Sequence, residues 1–277
     1  MRILDAHVHL WDTSVFPLPW LANVPVLSGH YDFDAVSSPL ADGVICVQAG
    51  ETLVEAEWLI EQAAQFAGIE AVVLQYSPSE HDGHWAGAVQ AAVDQSLANG
   101  GPVAGLRIPA RAAADNLDAV PGIDALCAGL AARGLVLELL LRPSQLPSVA
   151  RLAERFPELR MVICHLGIGQ DPLDAGWHAG MEELAGHANV HAKISGILPL
   201  AGDARHPEAP GVIVRAALDS LGADRLLFGS DWPMSIRTGM DYGGVLESIA
   251  AEIAGCTAAE RGLIFGGTAR TVYRLSR

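Results

Sequence analysis

Residues 3–12 read Ile3-Leu4-Asp5-Ala6-His7-Val8-His9-Leu10-Trp11-Asp12, and the way this stretch ends decides between two folds. Its first seven residues read as a buried strand. An open, doubly wound sheet that begins with such a strand follows it with a glycine-rich turn. Here histidine, tryptophan and aspartate stand where the glycines would be, which favours a closed sheet.

Outward from this stretch the alternation of short apolar runs and longer amphipathic segments continues. Runs at 43–48, 70–75, 103–108, 135–141, 161–166, 190–195 and 226–230 read as strands, which with 3–9 makes eight. Several, such as Gly43-Val44-Ile45-Cys46-Val47, are apolar at consecutive positions, as parallel strands covered on both faces are. The segments between carry helix punctuation. Thr52 and Glu55 form a capping-box pair, and Thr257 and Glu260 a second one. Pro147 opens and Pro157 closes a helix with Val149, Leu152, Ala153 and Phe156 on one face, and Asp241 stands as an N-cap. Eight strand–helix units predict an α/β protein, a parallel (β/α)8 TIM barrel with 1–277 as one domain. The long irregular stretch 11–39, with Pro17, Pro19 and Pro25, reads as a loop that walls a pocket, with Trp20 as its anchor.

Composition sets outer limits. A hydrophobic fraction of 51% with 18% charged residues excludes a disordered chain. Seventeen basic against thirty-two acidic residues leave a net charge of −15, which repels phosphate backbones and argues against nucleic-acid binding. No apolar run reaches the roughly 18 residues that span a bilayer. Cys46, Cys127, Cys164 and Cys256 are scattered without a paired motif, so a reducing cytoplasm is the expected compartment. Monomer and homo-oligomer are both left open.

In a TIM barrel chemistry gathers at the C-terminal strand ends. Reading those ends in order gives His7 and His9, Gln48, Gln75, Arg107, Glu138 with Arg142 just beyond, His165, Lys193 with Ser195, and Asp231. His7 and His9 are two apart and point to one face, as two ligands of a divalent metal would; two hydrogen-bonded core histidines are the plain alternative. Asp5 shares their parity and is expected to support them. Asp231 follows an apolar strand and can ligate a metal or accept a proton from water; the alternative is a helix N-cap or a turn. Glu138, inside an apolar strand, must be paired or bound to a cation: a metal ligand, or a partner of Lys193 or Arg107. Lys193 is a substrate clamp, a transition-state cation or a structural ion pair. Arg107 and Arg142 could fork a substrate carboxylate. His30, His81, His84, His178 and His206 default to solvated surface, and His191 to the stability end of the barrel.

Taken together these residues resemble the amidohydrolase superfamily, in particular its amidohydrolase-2 branch of sugar-lactone hydrolases, fuconolactonase-like. The likeness runs nearly end to end, through DAHVHLWD from Asp5, GLRIPAR from Gly105, MVICHLG from Met161, KISG from Lys193, LLFGSDWPMS from Leu226 and GGTARTVYRL from Gly266. It implies a TIM-barrel metal-dependent hydrolase of cyclic esters, with one divalent ion, zinc first, although the branch also contains metal-independent lactonases. Carried over, His7, His9 and Asp231 are metal positions, with Glu138 a looser fourth. Asp231 is also the general base, His165 sits beside the reacting carbonyl, and Arg107 holds substrate. Where sugar-lactone hydrolases often read Asp-His on the sixth strand, this chain has Cys164-His165, which bears on substrate identity.

The expected reaction is attack of water on a small lactone, with Asp231 taking its proton, Lys193, Arg107 or His165 stabilising the oxyanion, and Gln48, Arg142 and Trp20 lining the substrate site. Two rivals are a metal-dependent non-oxidative decarboxylase of an unsaturated or aromatic acid, and a non-catalytic binding barrel.

Overall fold

The computed structural model describes residues 2–36, 40–76, 84–201 and 210–275; His81 and His206 lie outside them. Eight parallel strands form the barrel: β1 (Leu4–Val8), β4 (Gly43–Val47), β5 (Ile69–Gln75), β6 (Val103–Pro109), β7 (Val136–Leu140), β8 (Met161–Ile163), β9 (Val190–Ile194) and β10 (Leu226–Phe228), in that order around the sheet. Between and after them come α1 (Phe33–Val36), α2 (Leu53–Gln65), α3 (His84–Ala98), α4 (Ile123–Arg133) and α5 (Leu146–Arg155). The second half adds α6 (Ala175–Ala185), α7 (Pro210–Leu221), α8 (Tyr242–Glu252), α9 (Ala258–Gly262) and α10 (Thr268–Val272).

Strand alternation divides the core in two. Ile45, Val47, Ala71, Val73, Val136, Val162 and Leu227 fill the barrel, and Ala269, Val272 and Tyr273 from the C-terminal segment plug it. The intervening residues, among them Val44, Cys46, Val72, Leu74, Leu137 and Leu139, point outward to Leu59, Val149 and Trp177 of the surrounding helices. The expected face of α5 is buried through Val149, Leu152 and Ala153.

β1 departs from simple alternation, and the departure makes the site. Its register with β4 shifts between Asp5 and Val8. Leu4 and Ala6 belong to the barrel interior, Val8 to the outer layer, and His7 and His9 meet each other through their Nε2 atoms. The irregularity separates Asp5 from the histidines it was expected to support. Its carboxylate instead accepts the His7 and Ser230 amides, both at 3.0 Å, and the Tyr242 hydroxyl at 3.0 Å. Asp5 thus bridges the seam between β1 and β10, which is completed by His9 N–H to Trp232 O at 2.7 Å and Asp231 N–H to His7 O at 2.9 Å.

Other expectations are corrected in detail. The sixth and eighth strands stop at Ile163 and Phe228, because the chain turns there into left-handed backbone at His165 (φ 55°), Leu166 (φ 52°) and Asp231 (φ 58°). Thr52 caps α2, but Glu55 does not return to it; its buried carboxylate takes the amides of Ala49 and Gly50. Residues 11–36 are an organised flap. β2 (Trp11–Asp12) pairs antiparallel with β3 (His30–Tyr31), and Trp11, Phe16, Leu18, Leu21 and Leu27 form a small core of their own. No helix among the described residues is long and apolar enough to cross a membrane.

Candidate active site

The barrel mouth brings His7, His9, His165 and Asp231 together. Asp231 Oδ1 lies 3.6 Å from His7 Nε2, 3.7 Å from His9 Nε2 and 3.8 Å from His165 Nε2, and the His7 and His9 Nε2 atoms are 3.2 Å apart. Two glycines permit this approach. A Cβ on Gly229 would come within 2.6 Å of His7 Cβ, and one on Gly196 within 2.5 Å of His165 Nδ1. His165 Nδ1 is 2.8 Å from Ser195 Oγ, so the Ser195-Gly196 pair sets that ring from two sides. His9 Nδ1 donates to Val47 O at 2.6 Å, which leaves its Nε2 lone pair toward Asp231.

Burial dominates the electrostatics. It carries His7 and His9 well below their ordinary range, helped by the Lys193 charge at His7 and the Arg107 charge at His9. It takes His165 down to about 3, with Arg107 next in influence. The same burial lifts Asp231 to about 7, against the pull of Arg107. Three neutral imidazoles therefore face a carboxyl that exchanges its proton near neutral pH.

A divalent cation fits this arrangement. Asp231 Oδ1 is buried yet has no hydrogen-bond partner among the described residues, a cost that a ligand would remove. His7, His9 and Asp231 offer ligand atoms within 4.8 Å of one another, and tetrahedral zinc with bonds of about 2.0–2.1 Å places its ligands roughly 3.3 Å apart. His7, Glu138 and Cys164 form a second such group, but Lys193 occupies it: its ammonium donates to Glu138 Oε1 at 2.7 Å and lies 3.3 Å from His7 Nδ1. A metal there would meet a cation.

The other expected residues divide into those that reach the cleft and those that do not. A cleft of about 210 Å3 is lined by Arg107, Trp20, Ala49, Leu140 and Met234 together with His9, His165 and Asp231. Arg107 donates to Gln75 Oε1 at 2.8 and 3.2 Å and to Gln48 O at 2.5 Å, and its Nη1 bonds no described residue. The Trp20 indole stands edge-on to Trp11, and its N–H is buried without a partner.

Gln48 does not line the cleft. It follows the inward-facing Val47, so its side chain turns outward. There it accepts the Gln75 amide at 2.9 Å and donates to Thr52 O at 3.0 Å. Lys193 lies fully buried beneath the mouth. Arg142 is spent on the 111–115 segment, bonding the carbonyls of Arg111 and Ala113 and the Asp115 carboxylate. The sequence reading missed Gly196 and Gly229; the signal was a glycine beside a functional residue in both KISG and FGSD.

Comparison with known proteins agrees with this picture. The sequence profile of the amidohydrolase family matches residues 4–275. The chain is 33% identical to an L-fucono-1,5-lactonase of Burkholderia ambifaria, covering 99% of this chain and 96% of that protein. It is 30% identical to an L-fucono-1,5-lactonase of Burkholderia multivorans, covering 98% and 96%. A solved amidohydrolase from Burkholderia multivorans with bound zinc superposes over the full length of both chains with a TM-score of 0.80 at 27% identity.

Proposed function

The chain belongs to the amidohydrolase family, and from that premise we propose that it is a hydrolase opening a small lactone derived from a sugar acid. The observation that carries the reading is the buried, unpartnered Asp231 Oδ1, ringed by three imidazole nitrogens at the edge of an open cleft. The two lactonases aligned over almost their whole length support the substrate class.

Water held beside Asp231 attacks the ester carbonyl, and Asp231 takes its proton. The tetrahedral oxyanion then expels the ring oxygen, which receives that proton from Asp231, and the product is an open hydroxy acid. A carboxylate beside the attacking water can take that proton and return it to the leaving oxygen. His165 lies beside the reacting carbonyl, and the spare Nη1 of Arg107 is a donor to the developing oxyanion.

His7, His9 and Asp231 would hold one divalent ion. Zinc suits two imidazoles and a carboxylate, and such an ion supplies Lewis-acid polarisation of the carbonyl. Glu138 stays with Lys193. Four free cysteines, three of them buried, suit a reducing cytoplasm.

The test is acid release from a panel of 1,4- and 1,5-sugar lactones, run beside metal analysis of the purified protein. Release from at least one lactone, with close to one ion per chain, is expected. No release from any lactone by the metal-replete protein would overturn the reading.

A further inference from the structure

We propose that a second chamber beside Asp231 receives a carboxylate carried by the substrate, through Arg237, so that the preferred lactone is one that keeps a second acid group. This rests on the lactonase reading and names its substrate more closely. The chamber measures about 50 Å3 and shares Asp231 and Met234 with the main cleft. A single water needs roughly 10–15 Å3, so the space suits three or so heavy atoms, the size of a carboxylate and too small for a further ring.

Its polar lining points to an anion. Arg237 is half-buried there, and its guanidinium makes no hydrogen bond or ion pair with any described residue. Two other arginines near the mouth are paired with acids, Arg111 with Asp171 and Arg142 with Asp115, while Arg107 gives its bonds to Gln75 and Gln48 and turns to the main cleft. In a chain with thirty-two acidic and seventeen basic residues, a half-buried guanidinium that forms no ion pair with an acid among the described residues is a cation open to a ligand. Ser235 adds a second polar group, since its buried Oγ has no partner among the described residues and lines the same chamber. A neutral hydroxyl would leave the guanidinium uncompensated, whereas a carboxylate forks onto it.

The test compares compounds that differ in one acid group. Binding of galactarate and of galactonate is measured by calorimetry on the metal-replete wild type, Arg237→Met and Arg237→Lys. Wild type should bind the dicarboxylate at least about tenfold more tightly than the monocarboxylate. Arg237→Met should abolish that preference, and Arg237→Lys should retain part of it. Equal binding of the two acids by wild type, or an undiminished preference in Arg237→Met, would overturn the proposal. Turnover of galactaro-1,4-lactone against galactono-1,4-lactone separates it from the reading beneath it. Arg237-dependent galactarate binding with no lactone turned over would sink the lactonase and leave the chamber standing. Turnover without preference for the acid lactone would sink the chamber and leave the lactonase standing.

Discussion

Two polar clusters are stacked inside one apolar barrel, and they are built to opposite rules. In the lower one Glu138 Oε1 takes the Lys193 ammonium at 2.7 Å and the Tyr273 hydroxyl at 2.5 Å, while Oε2 takes the Cys164 thiol at 3.3 Å. Charge meets charge there, and Lys193 is the only lysine in the chain. In the upper one Asp231 Oδ1 has three imidazoles nearby and no bond to any of them. Two site residues, His165 and Asp231, also carry left-handed backbone, which costs of order 1–3 kcal/mol each in non-glycine residues. A closed polar network contributes to fold specificity; an open one, held in place at a cost, leaves its unmet bonds for a ligand.

The largest effect should come from breaking the closed cluster. Glu138→Gln keeps the shape but strands the Lys193 ammonium in a fully buried position, and loss of one partner of a buried pair costs about 3–5 kcal/mol. Urea unfolding should show that loss as a lower midpoint at unchanged slope. Adding Lys193→Met should restore much of it. If Glu138→Gln instead kept full stability and lost its metal, Glu138 would belong with the ligands and the contrast between the clusters would fail.

The open cluster should behave in the reverse manner. Asp231→Asn retains size and much of the hydrogen bonding but cannot take the proton of water, so kcat should fall about a hundredfold or more. Stability of the metal-free protein should stay within about 0.5 kcal/mol or rise, because the amide removes a buried, unmet carboxylate. A lowered melting temperature with turnover intact would make Asp231 structural.

A smaller effect tests the seam. Tyr242→Phe removes one of the donors to the buried Asp5 carboxylate, which should cost about 1–2 kcal/mol in thermal or urea unfolding. The kcat should hold, since Tyr242 touches neither the imidazoles nor Asp231. A large fall in kcat at unchanged stability would show that the seam sets the site geometry directly.

These clusters also show what could be read without coordinates. Apolar runs at strand length and helix punctuation marked the eight units because burial on both faces forces that composition. The mouth residues were legible because packing alone gives a charged or imidazole group little reason to end an apolar strand. Parity was the weak point. Asp5, His7 and His9 alternate in sequence, but the register shift in β1 breaks the alternation in space, and no local signal marks that shift. Gln48 failed for the related reason that it stands one residue beyond an inward-facing Val47. The left-handed turns at His165 and Asp231 were invisible because neither is glycine, and tertiary contacts hold them there. The partner of Glu138 was left between Lys193 and Arg107 because strand spacing around a barrel cannot be read from one chain.

The smallest effect concerns a residue that the sequence put at the mouth and the fold put elsewhere. Arg142 follows the strand carrying Glu138, yet its guanidinium turns to the 111–115 segment, bonding Ala113 O at 2.8 Å and Asp115 at 2.6 Å. Its side chain is 31% exposed and that of Asp115 61%, so water competes for the ion pair. Pairs of this kind contribute about 0–1 kcal/mol. Gln145 independently holds the same segment through Ala110 O at 2.7 Å and Ala114 O at 3.1 Å. Arg142→Met should therefore lower stability by less than about 1 kcal/mol and leave kcat/KM for the best lactone unchanged, whereas Arg107→Met, in the cleft itself, should lower kcat/KM about tenfold or more. Equal losses in the two variants would mean that the 111–115 segment closes over the bound substrate, and the boundary of the open cluster would then have to be drawn to include it.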